Sequence, residues 1–271
     1  MSQSQKIIKY LAIAFALFLT FSIISGIIYG VSFIFDLSND NSRSITEKLD
    51  NLEIDKASSF LDIDVLSSNI KIKKGDTFKI KTNNKYISSR EEKNKLYIKE
   101  RKHNWFHKNE NNELIVYIPD DFVFDSVEIE SGAGKIIVDE LSTKQIYLDL
   151  GAGKVKINRL TVFENSKIEG GAGEVLIEHS NIHNLDLEMG AGRLSLISKL
   201  TGNNKIESGV GKIALSLLGN IDDYRITLDK GLGSAIIDGK NMSSDTIYGT
   251  GKSKLDIDGG VGSIKIDFIE E

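Results

Sequence analysis

Three patterns in this 271-residue chain hold residue types capable of chemistry. Gly249-Thr250-Gly251-Lys252-Ser253 ends like a phosphate-binding loop, in which backbone amides cradle phosphate oxygens and a lysine reaches them. His103 and His107 stand four apart, the spacing of a helical zinc pair. Carboxylates recur at alternate positions, as in Asp62 with Asp64 and Asp256 with Asp258, and carboxylate pairs are the acid and base of glycoside cleavage.

None of the three has the context its chemistry needs. The phosphate loop requires glycine where Thr246 stands and a helix after the serine, whereas Lys254-Leu-Asp-Ile257-Asp alternates like a strand. The histidines lie in a loop without helical period, and no glutamate follows in the His-Glu-x-x-His manner. Strand alternation places carboxylate pairs on any solvent face, so a glycan-active enzyme would need a groove that no residue singles out. Glycine-rich calcium rolls carry an aspartate after the glycines, but the residues after the second glycine of each triplet are Lys135, Lys154, Glu174, Arg193, Lys212, Ser234 and Ser263. The sequence therefore assigns no catalytic, cofactor-binding or metal-binding residue, and no cofactor is expected.

The elements that would position any site are set by a ladder of triplets. They are Gly132-Ala133-Gly134, Gly151-Ala152-Gly153, Gly171-Ala172-Gly173, Gly190-Ala191-Gly192, Gly209-Val210-Gly211, Gly231-Leu232-Gly233 and Gly260-Val261-Gly262. Successive spacings are 19, 20, 19, 19, 22 and 29 residues, the last enlarged by an insertion from Asn241 to Lys254. Apolar residues stand three and often five positions before the first glycine, as Val127 and Ile129 do, and four and six after it, as Ile136 and Val138 do. Their parity changes across the triplet. A continuous strand keeps its parity, so each triplet is a corner that absorbs one residue, with its middle residue expected to fill the corner from inside. Coils that cannot bury their own apolar columns must stack at ~4.8 Å, which makes the body an all-β solenoid of 19–20-residue coils and predicts a rod of roughly 35 Å for seven of them.

Residues 52–126 read as irregular first strands and a hairpin, with Asn69 near the position glycine fills later, and residues 127–268 as the regular coils. The acidic ending Asp267-Phe-Ile-Glu270-Glu271 is expected to discourage edge-to-edge growth.

Net charge is −5, unevenly spread: residues 71–108 hold thirteen basic and four acidic groups. That segment offers either solvated strand faces or a patch for anionic lipid or wall polymer. Within it, Arg101, Lys102, Trp105 and Phe106 form a candidate interaction loop, since an indole beside cations suits an interface. The chain has no cysteine, which removes disulfides and thiolate chemistry.

Lys6 and Lys9 precede a run from Tyr10 to Phe35 that contains no charge. Its 26 residues exceed the roughly twenty that span a bilayer core as a helix. Further apolar residues follow the small residues Ser25 and Gly26, so the run reads as an uncleaved signal anchor. The lysines before it predict a cytoplasmic N-terminus (1–9), a span (10–35), a polar linker (36–51) and an extracellular body (52–271).

The span, the Leu61-Asp-Ile-Asp-Val65 strand and the serial Gly-Ala-Gly-(Lys/Glu/Arg) coils together resemble a bacterial family of β-strand-repeat proteins labelled as candidate adhesins. The family includes LiaG-like envelope-stress proteins of Gram-positive bacteria. The resemblance covers about residues 52–268 and implies a surface protein contacting envelope proteins or wall polymers, with no catalytic motif to carry over. A glycan-active β-helix enzyme and a self-assembling envelope filament are the alternatives. No nucleic-acid partner is expected.

Overall fold

The computed structural model describes residues 49–52, 58–101 and 112–270. The chain divides into two units, residues 1–46 and 47–271, and every described residue belongs to the second. The apolar run 10–35 and Lys102, Trp105 and Phe106 of the candidate loop lie outside the described residues. Among the described residues no helix is long and apolar enough to cross a membrane.

Seventeen strands are described, all in one sheet. The first seven are short: β1 (Asp50–Leu52), β2 (Phe60–Val65), β3 (Asn69–Lys74), β4 (Lys79–Thr82), β5 (Ile87–Glu92), β6 (Lys95–Glu100) and β7 (Glu113–Ile118). Five long ones follow, β8 (Val123–Val138), β9 (Leu141–Ile157), β10 (Leu160–His183), β11 (Leu185–Thr201) and β12 (Asn203–Leu218). The last are β13 (Tyr224–Asp229), β14 (Leu232–Ile237), β15 (Lys240–Asn241), β16 (Thr246–Tyr248) and β17 (Ser253–Ile269). The sheet thus begins at Asp50, inside the segment read as linker.

Coils stack in parallel because each leaves an apolar column that only a neighbour in register can cover. Before the glycines the column runs Ile98, Ile63, Ile129, Leu148, Ile168, Leu187, Ile206, Ile257 and Leu228, adjacent members being register partners. After the glycines a second column runs Val116, Ile72, Val138, Ile157, Ile177, Leu196, Leu215, Ile266 and Ile237. All eighteen side chains are buried, and each contributes about 1.5–3 kcal/mol by leaving water. Nine levels at ~4.8 Å give a rod of roughly 40 Å.

The order of levels departs from chain order at both ends. The coil of β17 lies between β12 and the pair β13–β14, so the Gly231 coil is outermost although it comes earlier in sequence. At the other end β2–β3 stacks on β8, and β6–β7 lies beyond it. Both ends are closed by antiparallel strands: β16 on β13 and β15 on β14 at one, β5 on β6 and β4 on β7 at the other. The two terminal levels are thus covered by added strands, while the acidic ending belongs to an inner level, where Asp267–Ile269 pairs with Ser216–Leu218 of β12 and the pairing with β14 stops at Ile266.

The parity change is where the sequence placed it. Register runs from Ser131–Leu150 to Ala133–Ala152, and across the corner the buried residues change from odd to even in β8 (Ile129, then Ile136) and from even to odd in β9 (Leu148, then Val155). Glycine is required by stacking: Gly173 has φ +141°, and a Cβ there would lie 1.8 Å from the Gly153 carbonyl oxygen. The expectation for the middle residue is corrected. Val210, Val261 and Leu232 are 53, 49 and 81% exposed, because the bend turns this position outward.

The first coil makes its corner without glycine. Ile70 is level with Ile136, so Leu66-Ser67-Ser68 occupies the triplet position and Asn69 lies one residue further on, level with Lys135. The buried Glu100 carboxylate accepts the Leu66 N–H at 2.8 Å, the Ser67 N–H at 3.3 Å and the Asn84 amide at 2.9 Å. The Asn69 side chain in turn accepts the Lys135 N–H at 3.0 Å.

Candidate functional site

All seven triplets come to one edge of the rod, six of them with the second glycine at positive φ between +136 and +156°. Gly231-Leu232-Gly233 differs, with positive φ at Gly231 instead, as suits an outermost coil with only one neighbour to clear. At the β6–β7 level, Glu100 ends β6 beside the Leu66 corner and Glu113 begins β7 level with Asn69. Of the loop's named residues Arg101 is described, and its N–H donates to the Tyr86 carbonyl at 3.0 Å.

Beside this edge runs a feature that the sequence reading passed over. The residues two before each triplet are all acidic, and stacking brings them into one column with Asp64: Asp64, Glu130, Asp149, Glu169, Glu188, Glu207, Asp258 and Asp229. The signal was present in the solvent-facing positions of the alignment, which are informative only once coils are known to be in register. Like charges at ~4.8 Å repel. Desolvation and the charges of Asp64, Glu128 and Asp149 accordingly hold the Glu130 carboxyl above its ordinary value. Cations relieve the column locally: Lys167 reaches Glu169 at 2.7 Å and Lys205 reaches Glu207 at 2.6 Å. Tyr147 donates its hydroxyl to Glu169 at 2.6 Å, which pushes the phenol up to about 12, while Lys167 and Tyr147 together hold Glu169 low.

Part of the basic segment is answered within the fold. Lys95 lies 2.8 Å from Asp62 and 3.3 Å from Glu128, and their hydrogen bonds and charges raise its pKa against the pull of burial. Lys99 reaches Asp62 and Asp64 at 3.9 and 3.8 Å, Lys71 pairs with Glu113, and Lys74 pairs with Glu140. Of these carboxylates Asp64 alone stands in the acidic column, so Lys99 meets its first rung while Lys95 serves the neighbouring column of Asp62 and Glu128.

Next to the column, at the turn into the pre-glycine limb, is a shallow groove of ≈ 700 Å³. Its floor repeats one residue class: Gln145, Asn165, Asn184 and Asn203 line it at successive levels, alongside Tyr147, Lys167, Asp186, Lys205 and Asp256. Asn184 has φ +50° and is itself a corner, donating to the Glu164 carbonyl at 3.0 Å and accepting the Asn203 N–H at 2.9 Å. A second cavity of ≈ 680 Å³ is lined by Thr250, Gly251, Lys252 and Ser253 with Asp222 and Asp223. Ser253 there begins β17, so no helix follows the Gly-Lys-Ser ending, and two acidic residues share the cavity's lining. Among the described residues no three His, Asp or Glu side chains are placed to hold a metal ion.

The solved structures similar to this chain include two from bacteria. One is a candidate cell adhesion protein from Clostridium sporogenes, 14% identical, covering 82% of this chain and 100% of its own, with a TM-score of 0.38. Another is a candidate adhesin from Bacteroides fragilis, 12% identical, covering 81% of this chain and 97% of its own, with a TM-score of 0.32. No curated protein matches the sequence. The family model described as Toastrack DUF4097 matches residues 58–265, which takes in all seven corners, and the chain belongs to that family.

Proposed function

We propose that this protein is a non-enzymatic β-solenoid of the cell surface, anchored by the apolar run 10–35, that makes repeated contacts with envelope proteins or wall polymers as an adhesin or envelope-stress scaffold. The observation that carries this reading is repetition on the outside of the rod. An active site is one constellation placed once, whereas here the outward positions recur level by level, with eight acidic residues in register and amides at four successive levels. A repeating surface suits a repeating or extended partner, whose many weak contacts sum through effective concentration. The lysines before the apolar run orient the body outward.

The test uses cells producing the full chain. The protein is expected in the membrane fraction, with its body cut by protease added outside intact cells, and in detergent it should cosediment with wall material or envelope proteins. Recovery in the cytosol, or sedimentation with neither partner, would overturn the proposal.

A further inference from the structure

The geometry points to the amide-lined groove as a binding site for an extended, N-acetylated β-1,4-linked polysaccharide lying along the rod axis. This deepens the surface-contact reading and rests on it for the compartment in which such a polymer is met.

Commensurability is the first argument. The floor repeats once per coil, at ~4.8 Å, close to the advance of one pyranose ring in an extended β-1,4 chain. Such a chain would present one ring to each level without drifting far out of phase over the six levels from Ser126 to Asp256, roughly 24 Å by that spacing.

The second argument is chemical. A side-chain amide both donates and accepts, which is what sugar hydroxyls and acetamido groups require. Part of this capacity ties the coils together: Gln145 donates to Glu164 at 3.0 Å, and Asn184 donates to Asn165 at 3.3 Å. The rest points outward. The Gln145 carbonyl, the Asn165 amide nitrogen and the whole Asn203 side-chain amide make no hydrogen bond among the described residues. Tyr147, its hydroxyl fixed by Glu169, contributes an aromatic ring near one end.

Charge narrows the ligand. The column beside the amides alternates Lys167, Asp186, Lys205, Asp256, a period of two coils or roughly 10 Å, about one disaccharide of an extended β-1,4 chain. Local charge therefore cancels, and the neighbouring eight-carboxylate column repels polyanions. A neutral or sparsely charged glycan is admitted, while a polyphosphate chain is not.

The experiment titrates the full chain in detergent with soluble β-1,4-linked N-acetylglucosamine oligomers of two to six rings, and with unacetylated glucose oligomers of equal length. Affinity should rise with length and favour the acetylated series. Gln145→Ala combined with Asn203→Ala should weaken the six-ring oligomer roughly tenfold, the size expected for two neutral hydrogen bonds, with circular dichroism unchanged. Lys212→Ala, beyond the glycine edge, should leave binding as it was. Absence of oligomer binding, equal affinity for both series, or an unaffected double variant would each overturn the inference. If wall material still sediments with the protein in any of those cases, the groove assignment fails while the surface-contact reading stands.

Discussion

Gly262 rests directly on Gly211, its register partner across two coils that are far apart in sequence, and a Cβ on Gly262 would stand 1.7 Å from the Gly211 carbonyl oxygen. The contact is backbone on backbone, so no side-chain rotation relieves it, and Gly262 has φ +156° besides. Gly262→Ala should lower stability by about 3 kcal/mol. Chemical denaturation monitored by far-ultraviolet circular dichroism measures this, and a loss below 0.5 kcal/mol would mean that the coils are not in this register.

Leu232 makes the opposite case. It sits between two glycines at the same edge, level with Val261, yet is 81% exposed. Leu232→Lys should change the denaturation midpoint by no more than about 0.5 kcal/mol in stability. A large loss would restore the idea that the middle residue fills the corner.

Glu100 anchors the first coil's corner, which has no glycine. Its buried carboxylate accepts the Leu66 and Ser67 N–H groups and the Asn84 amide. Glu100→Ala leaves these donors without their acceptor, and should cost about 3 kcal/mol. Hydrogen exchange at Leu66 and Ser67 should accelerate before exchange at Ile206 or Leu187, because the fault lies at one end of the stack.

Glu130 sets a pH dependence. Its folded pKa is raised above the ordinary 4.5 by desolvation and neighbouring carboxylates. A raised carboxyl favours the folded state when protonated, so this contribution is present below the ordinary value and lost as pH rises through the folded one. Glu130→Gln should therefore raise the melting temperature at pH 7 and make no difference well below pH 4.5. A destabilising effect at pH 7 would show that the column is relieved by cations at this rung as it is at Glu169.

Much of this architecture could be read from the chain because it is local and repeated. The parity change between Ile129 and Ile136 required a corner whatever the rest of the molecule did, and the columns at Ile63 and Ile72 followed from period-two alternation. The acidic column was equally present, two residues before each triplet, but solvent-facing positions carry meaning only after register is known. The groove was out of reach: Gln145, Asn165, Asn184 and Asn203 are a scatter of polar residues until stacking lines them up.

By itself, then, the sequence determined the coil: its period, its two apolar limbs, its glycine corner and the apolar run before it. The tertiary structure decided which coil touches which. Coils with the same apolar columns are interchangeable to a local pattern, so their order depends on which edges are already occupied. The segment after Ile237 folds back as β15 and β16 and occupies the outer edges of β14 and β13. That makes the Gly231 coil terminal and leaves only its inner edge open, where β17 enters beside β12.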